Sequence, residues 1–160
     1  MPNIRRQVVP GDFIALISGK VPGVSQYIVG CFEVADKINA LTAYKIFPEH
    51  RLRLRDDGQL TGNIIVDAKG KQHPLDKHQS SSFERRIENY IIGRNPIVLT
   101  KPDEIAQGRE ETLDVLRTIL GKNGSAPIQI IGRGGKKLDF KQVQEIRDWL
   151  LSLKNGRRGS

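Results

Sequence analysis

The sequence predicts an α+β fold: a small β-barrel with two C-terminal helices packed on it. Short β-branched and aromatic segments, separated by glycine turns, fill the first hundred residues, as in small barrels. Two longer segments with apolar residues at helical spacing follow, over residues 103–120 and 139–153. The expected organisation is a barrel core over residues 1–100, a helical extension packed on it over 101–154 and a flexible tail over 155–160.

The predicted strands are short. Residues 13–17 form an apolar run, and residues 26–34 form a longer one with Gly30 in its middle, which favours a bulge or a tight bend. Residues 51–55 alternate arginine and leucine, so we expect a strand with one arginine face and one apolar face. Residues 63–67 and 96–99 predict two more strands, and residues 36–47 predict a short helix.

The two C-terminal helices have clear end signals and apolar faces. Asp103 and Glu104 suit the positive end of the first helix dipole, and Gly121 is the expected C-cap. The second helix has an apolar stripe that must be buried against the barrel, the first helix or a second subunit. This stripe contains Phe140, Val143, Ile146, Leu150 and Leu153, with Trp149 beside it.

The chain is basic, with 26 Lys and Arg against 18 Asp and Glu and a formal net charge of +8. This charge favours an anionic partner, most simply a nucleic acid, either DNA or RNA. No apolar run reaches membrane-spanning length and no signal peptide is recognisable, so we expect a cytoplasmic protein without a membrane partner. The single Cys31 forms neither an internal disulfide nor a zinc site, and no cofactor or metal is expected.

Catalytic signatures are absent from the sequence in recognisable form. His73 and His78 lack the HExxH pattern of zinc enzymes, and the serines at 80–82 lack the glycines of a nucleophile elbow. Carboxylate pairs such as Glu110 and Glu111 are interpreted as solvated charges. These observations favour a binding module, while an enzyme acting on nucleotides or nucleic acid stays open.

Several cations are candidates for phosphate binding. The alternating segment 51–55 would present three guanidinium groups on one side of a strand, although the same pattern also protects an ordinary edge strand. The glycine-rich stretch 132–137 resembles the GXXG loop of KH domains, but a turn joining a strand to a helix is favoured, because the residues that follow are nearly all helical. The phosphate-binding candidates are Arg5, Arg6, Arg51, Arg53, Arg55, Arg133, Lys136 and Lys137.

A base pocket is predicted beside the loop that follows the first strand. Ser18, Gly19 and Lys20 lie in this loop, and Tyr27 comes directly after it. In a barrel mouth the tyrosine ring could stack on a base. The alternative is an ordinary tyrosine of the core or rim.

The N-terminal third resembles a known family. A proline and an Ile-Arg-Arg triplet at residues 2–6, a Gly-Asp pair before an apolar strand at 11–14, and Gly19 are similar to the nucleotide-modification-associated domain of the second type. The Gly-Asp feature also occurs in the broader PUA-like group, which includes the EVE and YTH domains. The resemblance implies a small barrel that holds a modified or flipped-out base. Phe13 stands where that family has a tryptophan, and the C-terminal helices lie outside the resemblance.

The leading functional hypothesis is therefore a nucleic-acid-binding module. Arginines and lysines would hold phosphates, and a barrel pocket would take a modified or flipped base. One alternative is an enzyme that uses the same pocket. Another is a protein-interaction subunit whose two C-terminal helices form the contact surface, and a homo-oligomer is also open.

Overall fold

The computed structural model describes residues 2–156, apart from the side chains of Pro2, Asn3 and Ser80. Its helices are α1 Pro2–Gln7, α2 Ala40–Ile46, α3 Ser80–Ile87, α4 Pro102–Leu120, α5 Pro127–Ile131 and α6 Phe140–Lys154, with a 3₁₀ turn at Pro48–His50. Its strands are β1 Phe13–Ile17, β2 Ile28–Ile38, β3 Arg53–Leu54, β4 Leu60–Thr61 and β5 Tyr90–Val98. The predicted α+β class is confirmed.

The strands form a sheet in the order β1–β2–β5 and a separate two-stranded ribbon of β3 and β4. β1 and β2 are antiparallel, with Leu16 opposite Gly30. The next pair joins Ile17 to Ile28, which leaves one extra residue in β2, so the bulge expected at Gly30 lies directly beside it. A closed barrel is not found within residues 2–156, and that part of the prediction is unconfirmed.

The chain divides into two compact units, each assembled from two segments. The first unit contains Met1–Pro10 and Ala35–Ile92, and the second contains Gly11–Val34 and Gly93–Ser160. The expected boundary at residue 100 therefore lies inside the second unit. Both units are basic, with 12 Lys and Arg against 8 Asp and Glu in the first, and 14 against 10 in the second.

The first unit has a small apolar core centred on α2. Ala40 and Ala43 of this helix are buried with Ile64 and Val66, and α3 packs against the same cluster. Ile64 and Val66 form isolated bridges, so the strand predicted over 63–67 is wrong. The strand predicted over 51–55 is reduced to the two residues of β3, because only those pair with β4.

The core of the second unit confirms the two predicted C-terminal helices. α4 and α6 bury residues such as Leu116 and Leu150 in the same cluster as Ile28 and Cys31 of β2. Gly121 ends α4 in the left-handed conformation (φ 60°), as a C-cap glycine should. Both helices are therefore structural parts of this unit.

Three expectations for the C-terminal half need correction or completion. The segment before the glycine-rich turn is the helix α5 instead of a strand, with Pro127 in its first turn. Phe140 does not belong to the buried stripe, because it is 82% exposed at the start of α6. Of the predicted flexible tail, residues 157–160 lie outside the described residues.

Within residues 2–156, no helix is both long enough and apolar enough to span a bilayer.

Candidate nucleic-acid interface

Two short helices of the first unit carry a pair of arginines in their last turn. These are Arg5 and Arg6 in α1, and Arg85 and Arg86 in α3. Cations in a last helical turn are stabilised by the negative end of the helix dipole. Lys37 anchors the end of α1, because its Nζ donates to the backbone oxygen of Arg6 at 3.3 Å and to a second carbonyl just beyond it at 2.9 Å. The arginines of α1 are therefore carried on a fixed helix end.

Arg5 and Arg86 lie close enough for their charges to interact. Burial lowers the pKa of the Arg5 guanidinium, and the charge of Arg86 lowers it further, while Tyr90 acts in the opposite direction. Arginine side chains carry a positive charge in proteins, so the two groups repel each other. The first unit therefore holds two like charges together on a partly buried surface, at a cost in folding free energy.

Neither of these two arginines is neutralised by a carboxylate of the described chain. Within residues 2–156, no Asp or Glu forms a salt bridge with Arg5 or Arg86. The Nε atom of Arg86 is buried and has no hydrogen-bond acceptor in that part of the chain. A buried donor without an acceptor is costly, and paired guanidinium groups match the oxygens of a phosphate. The two neighbouring guanidinium groups therefore suit the binding of an oxyanion such as phosphate.

Tyr90 begins β5 and contributes a hydroxyl near this pair. Its hydroxyl donates to Oδ1 of Asn63 at 2.8 Å. Burial, and to a smaller extent the charge of Glu49, raises the pKa of Tyr90 against the hydrogen bond to Asn63 and the charge of Arg5, so the phenol stays protonated at neutral pH. Arg5, Arg86 and Tyr90 are called the α1–α3 site below. The sequence did not place Arg86 or Tyr90 at a site with Arg5, because nothing local links either residue to it.

The predicted arginine stripe of residues 51–55 contains three different environments. Arg51 is partly buried: its guanidinium lies 4.0 Å from the centroid of the Tyr44 ring, and its Nε donates to the Tyr44 carbonyl at 2.9 Å. Arg55 forms a salt bridge with Asp57 at 3.2 Å. The side chain of Arg53 is exposed and has no partner among the residues that the structure describes. Of the three, Arg53 is the side chain left open to solvent and to an anion.

The predicted phosphate-binding turn belongs to the second unit. Arg133, Lys136 and Lys137 are all exposed there, between α5 and α6. Gly132 and Gly135 have positive φ angles of 76° and 87°, so the backbone conformation of this turn depends on glycine at both positions. Residues 132–137 are called the basic turn below. No described residue forms a salt bridge with its three cations.

The predicted base-pocket residues close a loop in the second unit. Ser18 and Tyr27 bond to each other twice, through Ser18 N to Tyr27 O at 2.9 Å and Tyr27 N to Ser18 Oγ at 3.0 Å. The Tyr27 ring packs against the apolar core, and the Arg109 guanidinium lies 5.5 Å from its centroid. Gly19 and Lys20 are exposed. Tyr27 thus has the environment of a rim tyrosine that is already covered on one side.

Sequence reasoning missed a groove between α4 and α6 in the second unit. Its volume is about 570 Å³. It is lined by four carboxylates, by Thr118 and by apolar side chains of both helices. The carboxylates are Glu110, Glu111, Asp114 and Glu145, and the apolar side chains are Val115, Ile119 and Trp149. We call it the α4–α6 groove. The spacing of four between Glu110 and Asp114, and between Glu145 and Trp149, was the available signal, since residues four apart share a helix face.

Within residues 2–156, no group of three or more His, Cys, Asp or Glu side chains is arranged to hold a metal ion. Comparison of the chain with models of known families finds no match, and searches of curated proteins and of solved structures find no significant one. The functional argument therefore depends on the chain's own residues.

Proposed function

We propose that the protein binds nucleic acid through the phosphate backbone, with the α1–α3 site as the anchoring contact. The supporting observation is the pair Arg5 and Arg86, two neighbouring charges that have no salt bridge to a carboxylate among residues 2–156, where one buried donor of the pair also has no acceptor. A phosphate bound at the exposed part of this pair would offset the repulsion between the two charges. An ordinary structural arginine pair would instead be expected to have an Asp or Glu beside it.

Further cations of the first unit extend the proposed contact. Arg6, Arg53 and Arg85 are exposed, and within the described residues no carboxylate forms a salt bridge with them. Contacts of this kind fix the position of a nucleic acid without reading its sequence. We therefore expect binding with little sequence preference, to single strands or to duplexes.

A base pocket is not part of the proposed contact. The residues expected to form it, Ser18 and Tyr27, already bond to each other, and Arg109 lies over the tyrosine ring. Recognition of a modified base by a PUA-like barrel thus remains a prediction from the sequence. Backbone binding by the α1–α3 site requires neither a barrel nor a pocket.

The test is fluorescence anisotropy with labelled single-stranded DNA, duplex DNA and single-stranded RNA of mixed sequence. If about four phosphates are neutralised, affinity should fall by about two orders of magnitude between about 50 and 200 mM salt. Arg5→Gln and Arg86→Gln should each weaken binding to all sequences alike and reduce the slope of the salt dependence by about one.

The matched control is Arg94→Gln, which removes the same charge. Arg94 is exposed and hydrogen-bonded to Glu33, and this partner raises its pKa, so its guanidinium is already paired. Its loss should leave the salt slope unchanged. A flat salt response, or equal effects of Arg94→Gln and Arg86→Gln, would contradict the proposed site.

A further inference from the structure

The α4–α6 groove is acidic, although the unit that contains it has more basic than acidic residues. All four charged side chains that line it are carboxylates: Glu110, Glu111, Asp114 and Glu145. Arg117 and Lys141 lie outside the lining and pair with Asp114 at 2.7 Å and with Glu145 at 3.8 Å. The side chain of Glu110 is exposed and forms no hydrogen bond or salt bridge within the described chain. Glu110 therefore gives the groove a negative charge that no described side chain neutralises.

The aromatic side chain of the groove, Trp149, is held in place by a hydrogen bond. Its Nε1 donates to Oε2 of Glu111 at 2.9 Å, and Glu111 also accepts from Nε2 of Gln107 at 2.9 Å. Val115 and Ile119 of α4 lie along the same groove and are partly exposed. A preformed aromatic group among carboxylates suits a guanidinium or ammonium group, which gains from both the charge and the ring.

The charge of the groove decides the class of occupant. The lining offers no cation to a phosphate, and the exposed carboxylate of Glu110 would repel it, so a nucleic acid does not fit here. The complementary occupant is a segment that presents several cations on a short stretch of chain. The basic turn is such a segment, because Arg133, Lys136 and Lys137 are exposed within six residues and have no salt-bridge partner in the described chain.

We propose that the α4–α6 groove receives the basic turn of a second copy of this chain. Arg133 of one copy would lie against Trp149, and Lys136 and Lys137 would pair with Glu110 and Asp114. The two surfaces differ, so the contact is heterologous. In a pair, one copy keeps a free groove and the other keeps a free turn, and further copies can add at either surface. Because the pairs are exposed, the association is weak and sensitive to salt.

The experiment is a charge swap followed by sedimentation velocity on the full chain. One variant carries Glu110→Lys and Asp114→Lys, and the other carries Lys136→Glu and Lys137→Glu. Wild type should show a weight-average mass above that of the monomer at low salt, at protein concentrations up to roughly 1 mM, and should return to the monomer at high salt. Each variant alone should be monomeric, since its turn and its groove then carry like charges.

Mixing the two variants should restore association, because the reversed groove of one matches the reversed turn of the other. Circular dichroism of each variant controls for folding, which these exposed substitutions should leave intact. A monomeric wild type, or association that both variants retain, overturns the proposal. Binding of a lysine-rich synthetic peptide to a monomeric wild type, lost in the Glu110→Lys variant, would assign the groove to a foreign basic partner instead.

Discussion

The hydroxyl oxygen of Thr112 accepts a hydrogen bond from the backbone N–H of Ile28 at 3.0 Å, and both residues are almost completely buried. Thr112 lies in the middle of α4, and Ile28 is the first residue of β2. The bond therefore joins the longest helix of the second unit to its sheet at the bulge, where Ile28 faces Ile17. It satisfies a backbone donor that has no access to water.

We expect Thr112→Val to destabilise the second unit although it hardly changes the side-chain volume. The buried N–H of Ile28 would lose its acceptor, at a cost of about 1–3 kcal/mol. Urea unfolding followed by tryptophan fluorescence measures this loss, since Trp149 is the single tryptophan. Thr112→Ser keeps the hydroxyl and is the control. Equal losses in both variants would mean that packing of the methyl group matters more than the hydrogen bond.

Gly30 should be intolerant of any side chain. A Cβ atom at this position would lie 2.2 Å from the backbone oxygen of Ile97 on β5, so the two strands would have to move apart. Gly30→Ala should cost about 3 kcal/mol or more, in the upper range for single substitutions. Gly19→Ala is the matched control, because nothing lies within 4 Å of its added Cβ. A thermal melt of both variants separates the two cases.

Glu104 should give the second unit part of its dependence on pH. Its carboxylate is buried at the start of α4 and accepts from the backbone N–H groups of Thr100 at 2.9 Å and Lys101 at 3.2 Å. These bonds, above all the one from Thr100, lower the pKa of Glu104 below its ordinary value of 4.5. A lowered pKa stabilises the fold at neutral pH, and this contribution is lost as the pH falls below that ordinary value.

The difference in unfolding free energy between wild type and Glu104→Gln should therefore be largest near neutral pH and shrink below about pH 4.5. Denaturant titrations at a series of pH values measure it. Asp103→Asn removes an exposed carboxylate from the same helix start and controls for the helix dipole. A pH-independent difference for Glu104→Gln would contradict the assignment.

We expect that removing an arginine from the α1–α3 site weakens binding without lowering the stability of the fold. The pKa of Arg5 is lowered in the fold, so its charged form costs folding free energy at every pH below that value. Arg5→Gln and Arg86→Gln should leave the melting temperature unchanged or raise the free energy of unfolding by up to about 1 kcal/mol, the scale of partly exposed charge pairs. A clear fall in melting temperature for both variants would show that the arginines are structural.

The sequence predicted those features that depend on local spacing. The buried face of α6 follows from Ile146, Leu150 and Leu153, which are four and three residues apart. Phe140 fits the same periodicity but is exposed, because it stands in the first turn of the helix, beyond the surface that the helix covers. Periodicity identifies a face, whereas the neighbouring elements decide how far along the helix that face is covered.

The same limit applies to the ribbon and to the candidate sites. Leu52 and Leu54 alternate as in an amphipathic strand, yet Leu52 is buried and Leu54 is 58% exposed, because β3 pairs over two residues and no layer covers Leu54. Charge alone identified Arg5, but Arg86 is distant in the chain, and only folding of the first unit brings the two together. The α4–α6 groove was missed because each helix carries half of it.

The last prediction compares three apolar side chains of α6 that sequence periodicity alone does not rank. Leu150 is completely buried, Leu151 is 40% exposed and Phe140 is 82% exposed. Leu150→Ala should destabilise the second unit by about 2–5 kcal/mol, through lost burial and the cavity left behind. Leu151→Ala should cost much less, and Phe140→Ala should stay within about 0.5 kcal/mol of wild type, as for other surface positions. Urea unfolding of the three variants provides the ranking. A large loss for Phe140→Ala would mean that this ring is covered in solution, which a second copy of the chain could do, and the mass of that variant by sedimentation would then decide between the two explanations.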